Sequence, residues 1–121
     1  MAAEKVNLRE KLALFSDQWA PRRVATMNDY KVLLVRVQGE FVWHAHPETD
    51  DFFVVLEGRL EIQLRDRTVE LGPGELFVVP AGVEHCPRAV EEAHVLLIEP
   101  IGTVNTGDAP AGERTAADRP I

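Results

Sequence analysis

The chain has 121 residues, with 13 Lys+Arg against 20 Asp+Glu and a formal net charge of −7. At ~100–200 residues per domain this is one domain, long enough for a real core. The negative balance excludes a sequence-independent nucleic-acid grip and adhesion to an anionic membrane surface, and a hydrophobic share of 45 % excludes wholesale disorder. Residues 1–10 carry charges of both signs, so no signal peptide is expected. No run approaches the ~18 apolar residues of a membrane span. One cysteine, Cys86, rules out an internal disulfide and a multi-cysteine zinc site. A reducing, cytoplasmic setting is the expectation.

In chain order, Asn7 reads as a helix N-cap with Glu10 three residues on. Leu8, Leu12, Phe15 and Trp19 follow at helical spacing, which predicts a short amphipathic helix over 8–17, ended by Pro21. From Val24 onward the pattern is short strands cut by turn residues: 30–37, 40–46, 52–56, 59–64, 68–71, 76–79, 86–90 and 93–99. Gln38-Gly39, Glu57-Gly58, Asp66-Arg67, Gly72-Pro73-Gly74 and Pro80-Ala81-Gly82 are the breaks. Eight or nine short strands with such spacing predict an all-β sandwich or barrel.

Residues 52–56 and 95–98 are apolar on both faces, whereas a strand with one wet face alternates. One face must look into the core and the other must be covered. The helix or a second subunit could supply the cover, and the second subunit is favoured, so a homodimer is expected. Three segments follow: a helix and lead-in at 1–23, the barrel at 24–100, and a tail at 101–121. The tail is rich in Gly, Ala, Thr, Asp and Pro, and residues 109–121 are expected to be loose unless packed on a partner.

The chemistry concentrates in the histidines. His44 and His46 are two apart in a predicted strand, which places both imidazoles on one face. Asp51 follows five residues after His46, and His85 follows the turn at 80–82. Three imidazoles and a carboxylate suit one divalent first-row metal such as Zn, Fe, Mn, Ni or Cu. They leave positions open for water or substrate, as in catalytic sites. The spacing alone is a modest signal, since His-x-His on a strand arises by chance.

Gly39-Glu-Phe-Val-Trp-His44-Ala-His46-Pro-Glu-Thr-Asp-Asp51, then Gly58 after six more residues, resembles the first signature of the cupin family. Gly74-Glu-Leu-Phe-Val-Val-Pro80-Ala-Gly82-Val-Glu-His85 resembles the second and matches through His85 without a gap. The resemblance spans roughly residues 24–100. It implies a jelly-roll β-barrel with a metal inside, held by His44, His46, His85 and a fourth ligand at the family's Glu position. Three departures stand out. The spacer from Gly39 to His44 is one residue short, Asp51 occupies the Glu position, and Ala89 occupies the position of the second signature's Asn. Asp is one methylene shorter than Glu, so its carboxylate reaches roughly 1.5 Å less far. Direct ligation, ligation through a water and a three-histidine site are all open, with Glu48 and Asp50 as fallback carboxylates. The bland alternative is a set of buried histidines hydrogen-bonded in an empty barrel, with Asp51 bonded to backbone amides.

Val42 shares the face of His44 and His46. Phe53 and Val55 share Asp51's parity, so these three are expected to line a mostly apolar pocket. Trp43 and Cys86 alternate with ligands and point away, and His94 belongs to neither signature. Arg36 and Arg88 are weak candidates for inward cations, so no phosphate or carboxylate clamp is expected. The first functional reading is a metal-dependent enzyme of isomerase, dioxygenase or lyase type acting on a small oxygenated molecule, with Asp51 or Glu48 as ligand or base. The second is a non-catalytic module that binds a small molecule or metal. A weaker third is a barrel without metal that serves as an assembly piece.

Overall fold

A computed structural model describes residues 3–121. They form one short helix and eight strands: α1 (Leu8–Leu12), β1 (Arg22–Met27), β2 (Tyr30–Glu40), β3 (Asp51–Glu57), β4 (Leu60–Leu64), β5 (Thr68–Leu71), β6 (Leu76–Val79), β7 (His85–Pro100) and β8 (Arg119–Pro120). The strands run in the order β5-β4-β7-β2-β1-β8, and β3 bridges β6 and β7. β7 is the spine: its first residues pair with β4, and its later ones with β2 on one side and β3 on the other. This is a jelly-roll barrel of cupin type whose hydrogen-bonded path stays open.

Alternation decides what goes inside. Val35 and Val37 of β2, Phe53 and Val55 of β3, Leu60 and Ile62 of β4, and Ala93 and Val95 of β7 point into one buried core. Each large aliphatic side chain buried this way contributes roughly 1.5–3 kcal/mol. On the outer side, Leu12 and Phe15 cover Leu34, with Leu8, Val24, Leu56, Leu96 and Ile121 around them.

Four local expectations are corrected. The helix stops after five residues instead of running over 8–17. Arg36 Nη2 donates to the Leu12 carbonyl at 2.7 Å, taking one of the acceptors that a further turn would use. The chain then turns so that Trp19, at φ 58°, donates its backbone N–H to Arg36 O at 2.8 Å. Phe15 and Trp19 are buried as their spacing indicated, but on irregular backbone. Second, the expected strand over 40–46 is absent, because β2 already extends to Glu40 and residues 41–43 leave the ladder. Third, 86–90 and 93–99 are one strand. Val37 pairs with Ala93 and Gly39 with Ala89, so Val90, Glu91 and Glu92 between them form a bulge rather than a break. The Gly58 turn packs on that bulge, where a Cβ would stand 2.9 Å from Ala93 Cα.

The fourth correction concerns the tail. Residues 109–121, expected to be loose unless packed on a partner, are tied at their end to this chain's own barrel, while much of the segment stays exposed. Arg119–Pro120 pairs in parallel with β1. Asp118 accepts from Lys31 Nζ at 2.6 Å and Arg23 Nη1 at 2.9 Å. Thr106 is buried. No described helix is long and apolar enough to cross a membrane.

Candidate metal centre

His44, His46, Asp51 and His85 converge at one end of the barrel, all buried, with one potential ligand atom from each lying within 4.8 Å of the others. Asp51 is the first residue of β3 and shares the inward parity of Phe53 and Val55. That placement offsets its missing methylene. His85 opens β7. His44 and His46 come from the irregular arc 41–46, so strand parity does not orient them. A single bridge does, His44 N to His85 O at 3.0 Å and His85 N to His44 O at 2.9 Å.

The hydrogen bonds fix the imidazole tautomers. His44 Nδ1 lies 2.9 Å from Val42 O, and His85 Nδ1 lies 2.9 Å from Val83 O. A carbonyl only accepts, so each Nδ1 carries the proton and donates. His44, with Nδ1 donating, then presents a bare Nε2, the arrangement a metal ligand needs. His85 Nε2 stands 3.0 Å from Asp51 Oδ2, and His46 Nε2 stands 3.3 Å from the same oxygen. Each of these contacts is a hydrogen bond when the ring nitrogen carries a proton, and a pair of ligand positions when it does not. Two ligand atoms at ~2.1 Å from one ion stand about 3.0 Å apart at a right angle and about 3.4 Å apart in a tetrahedron. Both Asp51 distances fall in that range, and the cluster could hold a metal ion.

Charge follows the same logic. Burial lowers His44 to about 4, with the neighbouring histidines adding to the effect, so His44 is neutral. For His46, burial pulls downward, but the hydrogen bond and charge of Asp51 raise it overall. Burial pushes Asp51 upward, yet the hydrogen bonds from His46 and His85 hold its carboxyl below the usual carboxylate range. An ionised carboxylate among imidazoles is what a dication would find there.

The remaining candidates separate. The cavity beside the histidines measures about 50 Å³ and is lined by Phe53 but by neither Val42 nor Val55. Val42 instead gives its carbonyl to His44, and Val55 is fully buried in the core. Glu48 and Asp50 are exposed, and Asp50 accepts from Ala81 N at 2.9 Å. Arg65 stacks over Trp43 at 3.8 Å. Burial pushes the Cys86 thiol to about 11, so it is no nucleophile. Arg36 and Arg88 turn to Glu92 and Glu61. His94 pairs with Glu57 and Glu92 on the outside.

Two polar residues escaped the sequence reading. Glu99 lines the cavity and is 5 % exposed. Its neighbour across the ladder is Lys31, with Nζ 3.7 Å from Glu99 Oε1. Burial, with the Asp51 charge next, raises Glu99 to about 7. The available signal was parity: Glu99 follows Val95 and Leu97, and Lys31 precedes Leu33 and Val35, so both are charges at inward positions. Asn105, from the supposedly loose tail, also lines the cavity.

The barrel, the two signatures and the buried ligand set define a cupin, and the cupin domain family model matches residues 32–99. The chain belongs to that family. It is similar to the uncharacterized protein YdbB of Bacillus subtilis (strain 168), 34 % identical over 93 residues and 76 % of each chain. It also resembles the crystal structure of a cupin-2 domain containing protein from Shewanella frigidimarina, with 50 % identity, a TM-score of 0.78, and coverage of 78 % of this chain and 93 % of that one. Protein NMB1881 from Neisseria meningitidis is similar at 30 % identity and a TM-score of 0.74, over 80 % of this chain and 99 % of that one.

Proposed function

We propose that this cupin binds one divalent transition metal (Zn, Fe, Mn or Ni) through His44, His46, His85 and Asp51, and uses it as an enzyme on a small oxygenated molecule. The reaction is of isomerase, dioxygenase or lyase type. The observation that carries the reading is the convergence of four buried residues, His44, His46, Asp51 and His85, whose potential ligand atoms all lie within 4.8 Å of one another. When bound, the metal supplies Lewis acidity and, if redox-active, electrons.

The chain's own groups set the rest. At ~10–15 Å³ for each water-sized group, the cavity of about 50 Å³ takes only a few such groups. Trp19, Val37, Phe41, Phe53 and Leu97 make most of its wall and exclude water. No Lys or Arg lines it among the described residues, which disfavours phosphorylated substrates. Glu99, rather than the exposed Glu48, is positioned to hold or release a proton at a substrate oxygen away from the ligand cluster.

The second reading is a non-catalytic binding module. Ala89 favours it: it fills the Asn position, is 1 % exposed, and puts a methyl group into the core. Metal content by plasma mass spectrometry decides the first step, on protein purified without chelator or a nickel column. About one metal per chain, lost in His44→Ala/His85→Ala, supports the site; no metal even after reconstitution removes it. Metal-dependent turnover on a panel of enediols, diketones and hydroxy acids then separates enzyme from binder.

A homodimer in the cytoplasm completes the proposal. Two apolar rows cross the outer face, Val32–Ile98–Phe52–Val78 and Leu34–Leu96–Val54–Leu76. The helix covers Leu34, but Leu76 and Val78 on β6 are 56 % and 40 % exposed. A second copy laid on these rows would bury them. Light scattering should give twice the chain mass, and Leu76→Asp/Val78→Asp should halve it. A monomeric wild type overturns this part.

A further inference from the structure

The arc that carries His44 and His46 has left the β-ladder, so its backbone groups need partners from elsewhere. Phe41 N donates to Pro87 O, His44 exchanges two bonds with His85, and Gly82 N donates to His46 O. Ala45, the residue between the two ligands, finds its partners in the C-terminal segment. Ala45 N donates to Asp108 Oδ1 at 2.7 Å, and Asp108 N donates to Ala45 O at 3.0 Å. Both polar groups of the linking residue are thereby held by one residue 63 positions away.

The neighbours of Asp108 are fitted to the same arc. Gly107 sits at φ +53°, and a Cβ there would strike Ala45 O and stand 3.0 Å from His44 Cδ2. Only glycine lets the segment lie this close. Asn105 lines the cavity, and its amide closes the segment into a loop, donating to Arg114 O at 2.8 Å and accepting from Ala116 N at 3.1 Å. Arg114 then reaches back to Glu40 O, at the point where the arc departs from β2. Residues 105–116 thus grip the arc near both ends, although the family match stops at residue 99.

We propose that this C-terminal strap is part of the metal centre, and that Asp108 is the positioning residue that fixes the His44–His46 pair. The proposal rests on the metal-binding reading above. Asp108 reaches no ligand atom; it acts through the peptide groups of Ala45. Supporting partners of this kind typically change metal affinity 10–100-fold when removed.

The test is zinc affinity, measured by competition with a chromophoric chelator on the full chain, beside the urea midpoint of each metal-free variant. Zinc suits the probe because it stands high in the affinity order for nitrogen ligands. Asp108→Ala is expected to weaken zinc binding 10–100-fold. Asp108→Asn keeps an oxygen acceptor in place without the charge, and should stay within about threefold of wild type. Asp108→Glu keeps the charge but displaces the acceptor, and should behave like Asp108→Ala. Affinities unchanged in all three variants, with only the urea midpoints lowered, would make the strap merely structural and overturn the proposal. Equal loss in the Asn and Ala variants, with Glu intact, would assign the effect to charge and overturn it too. Wild type that binds no zinc would instead remove the metal reading itself, and the proposal with it. Should Asp108→Ala fail to fold, the Asn–Glu contrast decides alone.

Discussion

Two clusters of charged and titratable groups lie at the barrel wall, each with a buried part, and they are built on opposite principles. Lys31, Glu99, Asp118 and Arg23 form a chain of alternating signs, with contacts of 3.7, 2.6 and 2.9 Å. Cations and carboxylates balance, and the group is electrically closed. His44, His46, His85 and Asp51 instead gather three imidazoles around one carboxylate, with no Lys or Arg among them. Burial raises the stakes in both places, because an unmatched charge in a poorly solvated site costs several kcal/mol. The closed cluster holds the tail to the barrel. The open cluster could hold a metal ion.

The largest expected effect comes from opening the closed cluster. Lys31→Met leaves Glu99 and Asp118 without their shared cation and should cost roughly 3–5 kcal/mol in urea denaturation. Adding Glu99→Gln and Asp118→Asn should return most of it. A small loss in the single variant would show that solvent reaches the site.

The next test uses pH. The folded Glu99 carboxyl is raised from 4.5 to about 7, with burial the main cause. A group raised on folding contributes its stability below its unfolded value and loses it as pH rises through the folded one. Metal-free wild type should therefore fall behind Glu99→Gln between pH 4.5 and 7, by up to about 3 kcal/mol. Parallel stability curves for the two proteins would refute it.

Closing the open cluster should stabilise. At a metal concentration 100 times Kd, mass action adds about 2.7 kcal/mol. Wild type should show the corresponding rise in melting temperature, and Asp51→Ala should show less at the same concentration. Gly107→Ala adds a clash with the Ala45 carbonyl to the ~1 kcal/mol or more that a side chain costs at positive φ. It should also weaken metal binding, which circular dichroism and chelator competition read separately.

What the sequence disclosed and what it hid divide along similar lines. The strands 68–71 and 76–79 appear where alternation and turn residues placed them, because those signals are local. The four converging residues were legible because two signatures carried them, not because of strand parity: the strand assumed for 40–46 does not exist. The tail was misread because its order rests on partners distant in the chain. Asp118 finds Lys31 87 residues away, and Asp108 finds Ala45 63 residues away. Composition cannot report such pairings, and a segment rich in Gly, Ala and Thr looks alike whether free or clasped. The helix was overestimated for a related reason, since the side chain that receives its last turn, Arg36, belongs to β2.

The bridge between His44 and His85 has a consequence for the proposed metal site. Two of the proposed ligands are tied backbone to backbone by the chain itself, so the socket is formed without an ion. Under the metal reading, loading demands little rearrangement, and stripping should leave the barrel intact. A protein built this way would exchange an ion as a folded molecule, and its content would follow what its surroundings supply.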